Sequence, residues 1–470
     1  MVMRLATPES SFKLSMPISP IIFVALGFFM LPMLGVTQLY YFNKLQVATA
    51  ELSGFAFGFA VTFGISFLLF NVFAMTRYVL MIVSAYFGWT HTVRPQPTAT
   101  ETPLVSILLP AFNEEARIAK TIEAILVVNY PALEIIVVDD GSTDDTFAIA
   151  IRYVGEHQGM RVRVLRKPNG GKSTALNLGF RESHGPLVLC VDADSLLERN
   201  AVKRLVAVLG DPSVGAVSGQ VRVRNRGTLL GRMQALEYAM MNGMPRLSQS
   251  CFSHVLIAPG PVAMFRRAIL DDIWRTWGAG HEEDASSSRY VTGPWERDTF
   301  AEDCDLTLNT LLFGKRVLFE PAALSYTTAP DGLFPLLNQR YRWIRGNLQA
   351  VLKSWRRWHS VSNPPQALPL WLASFIIESI LWPMVNVYGL LMFAGLLIVV
   401  GDVGMLLPWY LVLLLIEMNA SAFAVRTMGE RRVLILLSPI FCSVYSLLLN
   451  VNTLLSTIDE LLLRKRMAWG

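Results

Sequence analysis

Hydrophobic positions divide the chain into three textures. From Ile21 to about Phe42, and again from about Phe55 to Ala74, apolar residues run without any period. The second run can continue past Arg77 to Trp89 as an interfacial piece. Each is long enough to cross a hydrocarbon core of about 30 Å. The first has no small-residue cleavage site and reads as an anchor, not a removed signal peptide. After residue 102 the texture changes to short β-rich runs alternating with amphipathic helical patterns: Val105 to Leu109, Glu134 to Val138, Val162 to Leu165, Leu187 to Val191 and Ala216 to Ser218. Continuous apolar strands separated by helices predict a mainly parallel sheet covered on both faces. A third pattern starts near 333. If 333–356 is helical, Gln339, Arg342, Trp343 and Gly346 fall at i, i+3, i+4 and i+7 and share one face. Apolar blocks then resume at 367–400, around Pro383, at 406–424 and at 433–463.

These boundaries predict an amino-terminal membrane region with two spans (1–90), a linker (91–102), an α/β domain (103–332), interfacial amphipathic helices (333–366) and a carboxyl-terminal membrane region (367–470). The α/β domain is Rossmann-like, but no GxGxxG follows its first strand.

Composition sharpens this picture. Of 470 residues, 53% are hydrophobic and only 16% charged, which fits a multi-pass membrane protein carrying one polar domain. The net charge of +5 is scattered, with no basic tract interleaved with aromatics, so no nucleic-acid partner is expected. Four cysteines stand far apart, without metal or disulfide spacing. Arg4, Lys13, Arg77 and Arg94 flank the first two spans so that the positive-inside rule puts the α/β domain in the cytoplasm of a plasma-membrane protein. Basic residues at Arg426, Arg431, Arg432 and again at Arg464, Lys465 and Arg466 predict a hairpin or two tilted segments over 433–463.

Ligands of open parallel sheets bind beyond the carboxyl ends of the strands, so acids at those ends carry the chemistry. The first strand ends in Asn113-Glu114-Glu115 and the second in Asp139-Asp140-Gly141. Asp140 could accept from a ribose or a uracil, or merely form an Asx-turn; capping suits Asp144 better. The strand ending at Val191 runs into Asp192-Ala193-Asp194, whose alternate carboxylates can converge on Mg²⁺ or Mn²⁺ together with substrate phosphates. Asn169-Gly170-Gly171-Lys172-Ser173 lacks phosphate-loop spacing, yet Lys172 can reach a phosphate as a point charge. Glu302 and Asp303 open an apolar helical run, where one could act as a general base or both could simply favour the helix dipole. On the helix after 333, Arg342 offers a bidentate fork for a diphosphate and Trp343 a flat platform for a sugar, although an interfacial anchor would use the same residue types.

Taken in order, Asp139-Asp140-Gly141, Asp192-Ala193-Asp194, Glu302-Asp303 and Gln339-x-x-Arg342-Trp343, between membrane spans on both sides, resemble the family 2 processive glycosyltransferases, a group that includes cellulose, chitin, hyaluronan and poly-β-1,6-N-acetylglucosamine synthases. The resemblance covers roughly residues 100 to 350. It implies a GT-A fold and an inverting transfer from a UDP-sugar with Mg²⁺ or Mn²⁺. Asp140 and Asp139 would bind the uridine, with Glu114 near the ribose. Asp192 and Asp194 would hold the diphosphate and its metal, with Lys172 and Arg342 on the diphosphate. Asp303 would be the general base beside Glu302, and Gln339 and Trp343 would line the site of the growing polysaccharide.

Ala301 stands where the family usually has a threonine before Glu-Asp. The stretch from Ala258 to Arg267 is nearer to the N-acetylglucosamine polymer and hyaluronan branches than to the cellulose synthases. The polar segment from His281 to Ser288 matches nothing in the pattern. The implied activity is polymerisation of a β-linked glycan, foremost an N-acetylglucosamine polymer, and its passage across the bilayer. Hyaluronan, chitin or β-glucan synthesis, single transfer to a polyprenyl lipid, and the need for an accessory membrane subunit stay open.

Overall fold

The computed structural model describes residues 19–49, 54–92, 102–278, 291–361, 363–400 and 407–463. Arg4, Lys13, Arg94, most of the linker, the 281–288 segment and the basic residues at 464–466 lie outside them.

Two long helices come first, α1 (Ile21–Thr49) and α2 (Gly54–Thr92), the latter one unbroken helix through Arg77. The α/β domain follows as β1 (Val105–Ala111), α3 (Ile118–Leu126), β2 (Leu133–Asp139), α4 (Thr146–Ala150), β3 (Gly155–His157), β4 (Met160–Arg166), α5 (Lys172–Arg181), β5 (Leu187–Cys190), β6 (Leu196–Leu197), α6 (Ala201–Val208), β7 (Val214–Val223), α7 (Leu229–Glu237), α8 (Met244–Cys251), β8 (Ala263–Arg266), α9 (Arg267–Ile273), α10 (Glu302–Leu312) and β9 (Arg316–Thr327). Then come α11 (Leu333–Trp358), α12 (Leu368–Ile376), α13 (Trp382–Val400), α14 (Leu407–Thr427), α15 (Ser438–Ile440) and α16 (Ser446–Leu461).

All five expected strands form, and the sheet is mixed where a mainly parallel one was expected. Its order is β3-β4-β2-β1-β5-β8-β7-β9-β6. β4, β2, β1 and β5 run parallel, whereas β8 is antiparallel to both β5 and β7. The centre of the parallel half is largely apolar because helices cover both of its faces: β1 and β2 are buried at nearly every position, whereas β4, nearer the edge, carries Arg161, Arg163 and Arg166 and is partly exposed. β9 was not legible because Glu320-Pro321 interrupts it; a register shift opposite Gly219 and Gln220 accommodates the proline, as bulges do.

Among the described residues, five helical stretches are long and apolar enough to cross a membrane: Ile21–Tyr40, Val72–His91, Leu368–Leu391, Tyr410–Thr427 and Arg432–Leu461. The last is one continuous helical run, containing a π-helical turn at Phe441–Tyr445, and not the hairpin or the two tilted segments expected over 433–463. Arg77 and Glu378 form a fork-to-fork pair across two of these helices, at 2.6 and 2.5 Å, and the Arg77 guanidinium lies 4.3 Å from the Trp382 ring centre. That pairing gives a charged residue a partner at membrane depth.

Two clusters of ion pairs are among the ties between the domain and the helical region. Glu430, in the loop after α14, forks onto Arg226 at 2.5 and 2.9 Å and also faces Arg222. On the other side, α11 is pinned to the end of α16: Arg345 pairs with Glu460 at 2.7 Å, and the Tyr341 hydroxyl donates to Asp459 at 2.7 Å.

Candidate active site

The site is built at the carboxyl ends of the central strands, where β5 and the start of α5 meet α10. Asp140, at the end of β2, is buried and spends its carboxylate on the next loop. Its Oδ1 accepts from Lys167 Nζ at 2.5 Å and from the Gly170 amide at 3.1 Å, and its Oδ2 accepts from the Gly171 amide at 2.8 Å. This fixes the turn that delivers Lys172 as the first residue of α5. Lys172 Nζ then lies 2.7 Å from Asp192 Oδ1 and 2.8 Å from Glu302 Oε1, so three sequence-expected residues from three elements converge on one point.

Gly260 closes the cluster. It lies in the tight turn Gly260–Val262 before β8, and its amide donates to Asp303 Oδ2 at 3.4 Å. A Cβ at Gly260 would sit 2.7 Å from Lys172 Nζ and 3.1 Å from Asp192 Oδ1, so only glycine leaves the ammonium its place. Asp303 Oδ1 accepts from the Cys304 amide at 2.8 Å in the first turn of α10.

The electrostatics follow from crowding. Burial, then the charge of Glu302, push the Asp303 carboxyl up to about 6 against the pull of Lys172. Burial also raises Asp192, with Lys172 opposing and Asp194 and Glu302 adding to it. Burial would lower Lys172, but Asp192, Glu302 and Asp303 together outweigh it and hold the ammonium well above its ordinary range. Asp194 accepts from Ser195 Oγ at 3.1 Å and Thr327 Oγ1 at 3.2 Å.

At the end of β2, Asp139 is fully buried beside Arg166, whose Nε lies 3.0 Å from its carboxylate. Glu114 pairs with Arg117 at 2.9 Å; burial raises its carboxyl and Arg117 pulls it back. Asp144 accepts from the Thr146 amide at 3.0 Å and from the Glu115 amide at 3.1 Å, an Asx-turn that ties two loops together.

On α11 the face of Gly346 abuts the turn before Glu302. Thr299 Oγ1 donates to the Gly346 carbonyl at 3.1 Å, and the Phe300 amide donates to Gln349 Oε1 at 3.2 Å. Arg342 and Trp343 are exposed and Gln339 half-buried. Among the described residues, Arg342 makes no ion pair.

The matching family model is that of glycosyl transferase family 2, over residues 106–274. Over those residues the α/β domain is similar to the family 2 glycosyltransferases. This chain is therefore a glycosyltransferase, and its apolar helices make it a membrane protein. It resembles the poly-beta-1,6-N-acetyl-D-glucosamine synthase of Staphylococcus aureus (strain COL), at 29% identity over 338 residues that cover 70% of this chain and 75% of the relative. The Staphylococcus epidermidis synthase of the same name is 28% identical over 301 residues, covering 64% and 66%. Among solved structures, a mannosyltransferase from Pyrobaculum calidifontis in complex with GDP-Man and Mn²⁺ superposes with a TM-score of 0.53 at 20% identity, over 77% of this chain and 98% of that one. That likeness bears on the fold, the GT-A-like mixed sheet.

Sequence reasoning did not single out three residues of the site. In the sequence Gly260 stands out only as part of the Ala258 to Arg267 stretch. Arg246, on α8, donates from Nε to the Ile257 carbonyl at 3.1 Å; burial lowers its pKa to about 10, with Asp303 and Tyr238 opposing. Arg340 lies inside the motif and is buried, where Arg342 is not. The signal available for Arg340 was helical phase: two residues from Arg342 it points to another side of α11.

Proposed function

We propose that this chain is a processive, inverting synthase that extends a β-linked N-acetylglucosamine polymer from a cytoplasmic UDP-sugar and passes it across the plasma membrane through its multi-pass helical region. The observation that carries the chemistry is the setting of Asp303: a carboxylate with a pKa near 6, in hydrogen-bond contact with the Gly260 amide and beside the Lys172, Asp192 and Glu302 cluster. The likeness to the staphylococcal synthases supports the choice of sugar.

In this reading Asp303 takes the proton of the acceptor hydroxyl as its oxygen attacks the anomeric carbon. The bond from that carbon to the diphosphate oxygen breaks, and UDP leaves from the opposite face with inversion. Such a base supplies typically about 10²–10⁴-fold. Lys172 and Arg342 take the diphosphate, Glu114, Asp139 and Asp140 shape the nucleoside end, and Gln339 and Trp343 receive the glycan terminus. Asp140 acts there partly through the loop it orders.

Among the described residues no three His, Cys, Asp or Glu side chains converge as a metal cage. The donor set nevertheless suits Mg²⁺ or Mn²⁺, which commonly take one or two carboxylates and complete their shell with phosphate oxygens and water. Asp192, Asp194, Glu302 and Asp303 together outnumber the single ammonium of Lys172, so a diphosphate entering alone would meet net negative charge. Asp192 and Asp194 would hold the ion, which when bound neutralises charge developing on the leaving UDP.

The test is label incorporation from UDP-GlcNAc, UDP-glucose and paired UDP-GlcNAc and UDP-glucuronate, by membranes containing this chain alone with Mg²⁺ or Mn²⁺, followed by linkage-specific hydrolases. Long β-1,6-linked N-acetylglucosamine polymer is expected. A product that stops at one sugar on lipid would overturn processive synthesis, and polymer made only with a second membrane protein present would show that an accessory subunit is required. Asp303→Asn should abolish transfer and keep UDP binding.

A further inference from the structure

Trp343 is only 37% exposed, and one guanidinium accounts for much of what holds its ring. The Arg340 guanidinium carbon lies 4.2 Å from the indole centre, while Tyr238 meets the ring edge-on at 6.5 Å and 60°. A guanidinium over an indole face is attracted by the ring quadrupole, more strongly where water is excluded. The same guanidinium donates from Nη1 to Gln339 Oε1 at 2.5 Å. Arg340 thus touches both residues assigned above to the glycan terminus, although it lies on another side of α11 from Arg342.

Its own orientation is dictated from elsewhere. Glu237, at the end of α7, accepts from Arg340 Nε at 2.6 Å and Nη2 at 3.0 Å. Both side chains are about nine-tenths buried or more. A two-bond fork fixes the plane of a guanidinium as well as its place. Glu237 Oε2 in turn accepts the hydroxyl of Tyr445 at 2.5 Å, from the π-helical turn of the Arg432–Leu461 run. A second π-helical turn, Tyr238–Gly243, starts beside Glu237. Such turns concentrate at functional sites. A buried ion pair adds little to stability compared with apolar packing, so its directional geometry is the part that calls for a role.

We propose that Glu237, Arg340 and Tyr445 are positioning residues that brace the Trp343 indole and the Gln339 amide as a rigid glycan-binding platform, tied directly to a membrane helix. The proposal rests on the reading that Trp343 contacts the glycan. A loosened platform leaves the donor site untouched and misplaces the attacking hydroxyl, so binding of the glycan suffers before cleavage of the donor does.

The test uses the full chain reconstituted in lipid, with UDP-GlcNAc as donor and a β-1,6-linked N-acetylglucosamine tetramer as acceptor. Tyr445→Phe removes one hydrogen bond and leaves the ion pair intact, so it is the variant least able to unfold the protein; Arg340→Lys keeps the charge and loses the fork. Each should raise the KM for the tetramer by about fivefold or more and shorten the product, with the KM for UDP-GlcNAc within about twofold. Trp343→Ala is the control. In its background Tyr445→Phe should add nothing further, because its effect runs through the missing ring. If Trp343→Ala leaves the tetramer KM unchanged, the glycan-site reading itself fails. If Trp343→Ala raises it while Tyr445→Phe and Arg340→Lys do not, or if their effects add to that of Trp343→Ala, the brace is overturned and the glycan site stands.

Discussion

Gly346 of α11 and Ala301 of the turn before α10 are in backbone contact: a Cβ on Gly346 would lie 2.7 Å from the Ala301 nitrogen and from the Phe300 carbonyl carbon. Neither partner is the end of a flexible side chain, so the contact cannot give way locally. Ala301 precedes Glu302 and Asp303 directly. The spacing of α11 relative to Glu302 and Asp303 is therefore set by the absence of one methyl group.

Gly346→Ala should push α11 away from that turn. Overpacking of this kind costs about 1–3 kcal/mol, and the displacement falls on the residues that carry Asp303. A lower melting temperature together with at least about tenfold less transfer is expected, read by thermal unfolding and by label incorporation on the same preparation. Unchanged activity would detach the Gln339-to-Gly346 stretch from the chemistry.

Gly260→Ala offers the contrast. The new methyl would meet Lys172 Nζ at 2.7 Å, the far end of a flexible side chain, which can swing aside. The fold should survive while the ammonium leaves Asp192 and Glu302. A raised KM for UDP-GlcNAc at an unchanged melting temperature is the expected pair of readings, from a donor titration and a thermal scan.

The pH dependence follows from the direction of the Asp303 shift. Its carboxyl is raised to about 6; if Asp303 acts as the proposed base it works only when ionised, so kcat should fall as pH drops through that value, about tenfold per unit below it. Lys172 favours the ionised form and opposes the rise. Lys172→Met should therefore move the acid limb to higher pH, apart from any loss of overall rate. Normalised profiles of kcat against pH would show the shift, and a limb that stayed in place would separate Lys172 from Asp303.

Glu430→Gln tests the seam between domain and helices. Glu430 is almost fully buried between Arg226 and Arg222, and stripping the charge from a buried pair commonly costs about 3–5 kcal/mol because the partner charge is left behind. Lower thermal stability in detergent with UDP binding retained is expected, measured by a melting curve and a nucleotide titration. An equal loss of UDP affinity would mean that the seam shapes the donor pocket.

The centre of the parallel half was legible because β1, β2 and β5 are dry on both faces and read as short, largely apolar runs, Ile135 to Val138 of β2 above all. The antiparallel half was not. β8 has four residues behind Pro259-Gly260-Pro261, β9 is split by Glu320-Pro321, and a run of apolar residues says nothing about strand direction. Among the site residues, the acids were visible because they cluster at the carboxyl ends of strands, where ligands of such sheets bind, although Glu302 and Asp303 taken alone equally suit the start of a helix. What carried no sequence signal was the loop traffic between them: that Asp140 would organise the turn before Lys172, that Gly260 would seat the ammonium, and that the neighbouring arginines Arg340 and Arg342 would face such different surroundings.

One helix, α11, touches the peptide before the base through Gly346 and the last turns of α16 through Tyr341 and Arg345. Nature and engineers alike often exchange catalytic domains as cassettes, cut at exposed linkers where few contacts cross. Here the seams run through interlocking side chains, with Glu430 and Glu460 belonging to one piece and Arg226 and Arg345 to the other. A chimera that kept the membrane helices of one such enzyme and took the sugar chemistry of another would have to inherit Arg222, Arg226 and residues 333–358 together with their partners Glu430, Asp459 and Glu460 as a matched set, so diversification of the product in such enzymes is expected to proceed by point changes within one lineage more readily than by recombination between lineages.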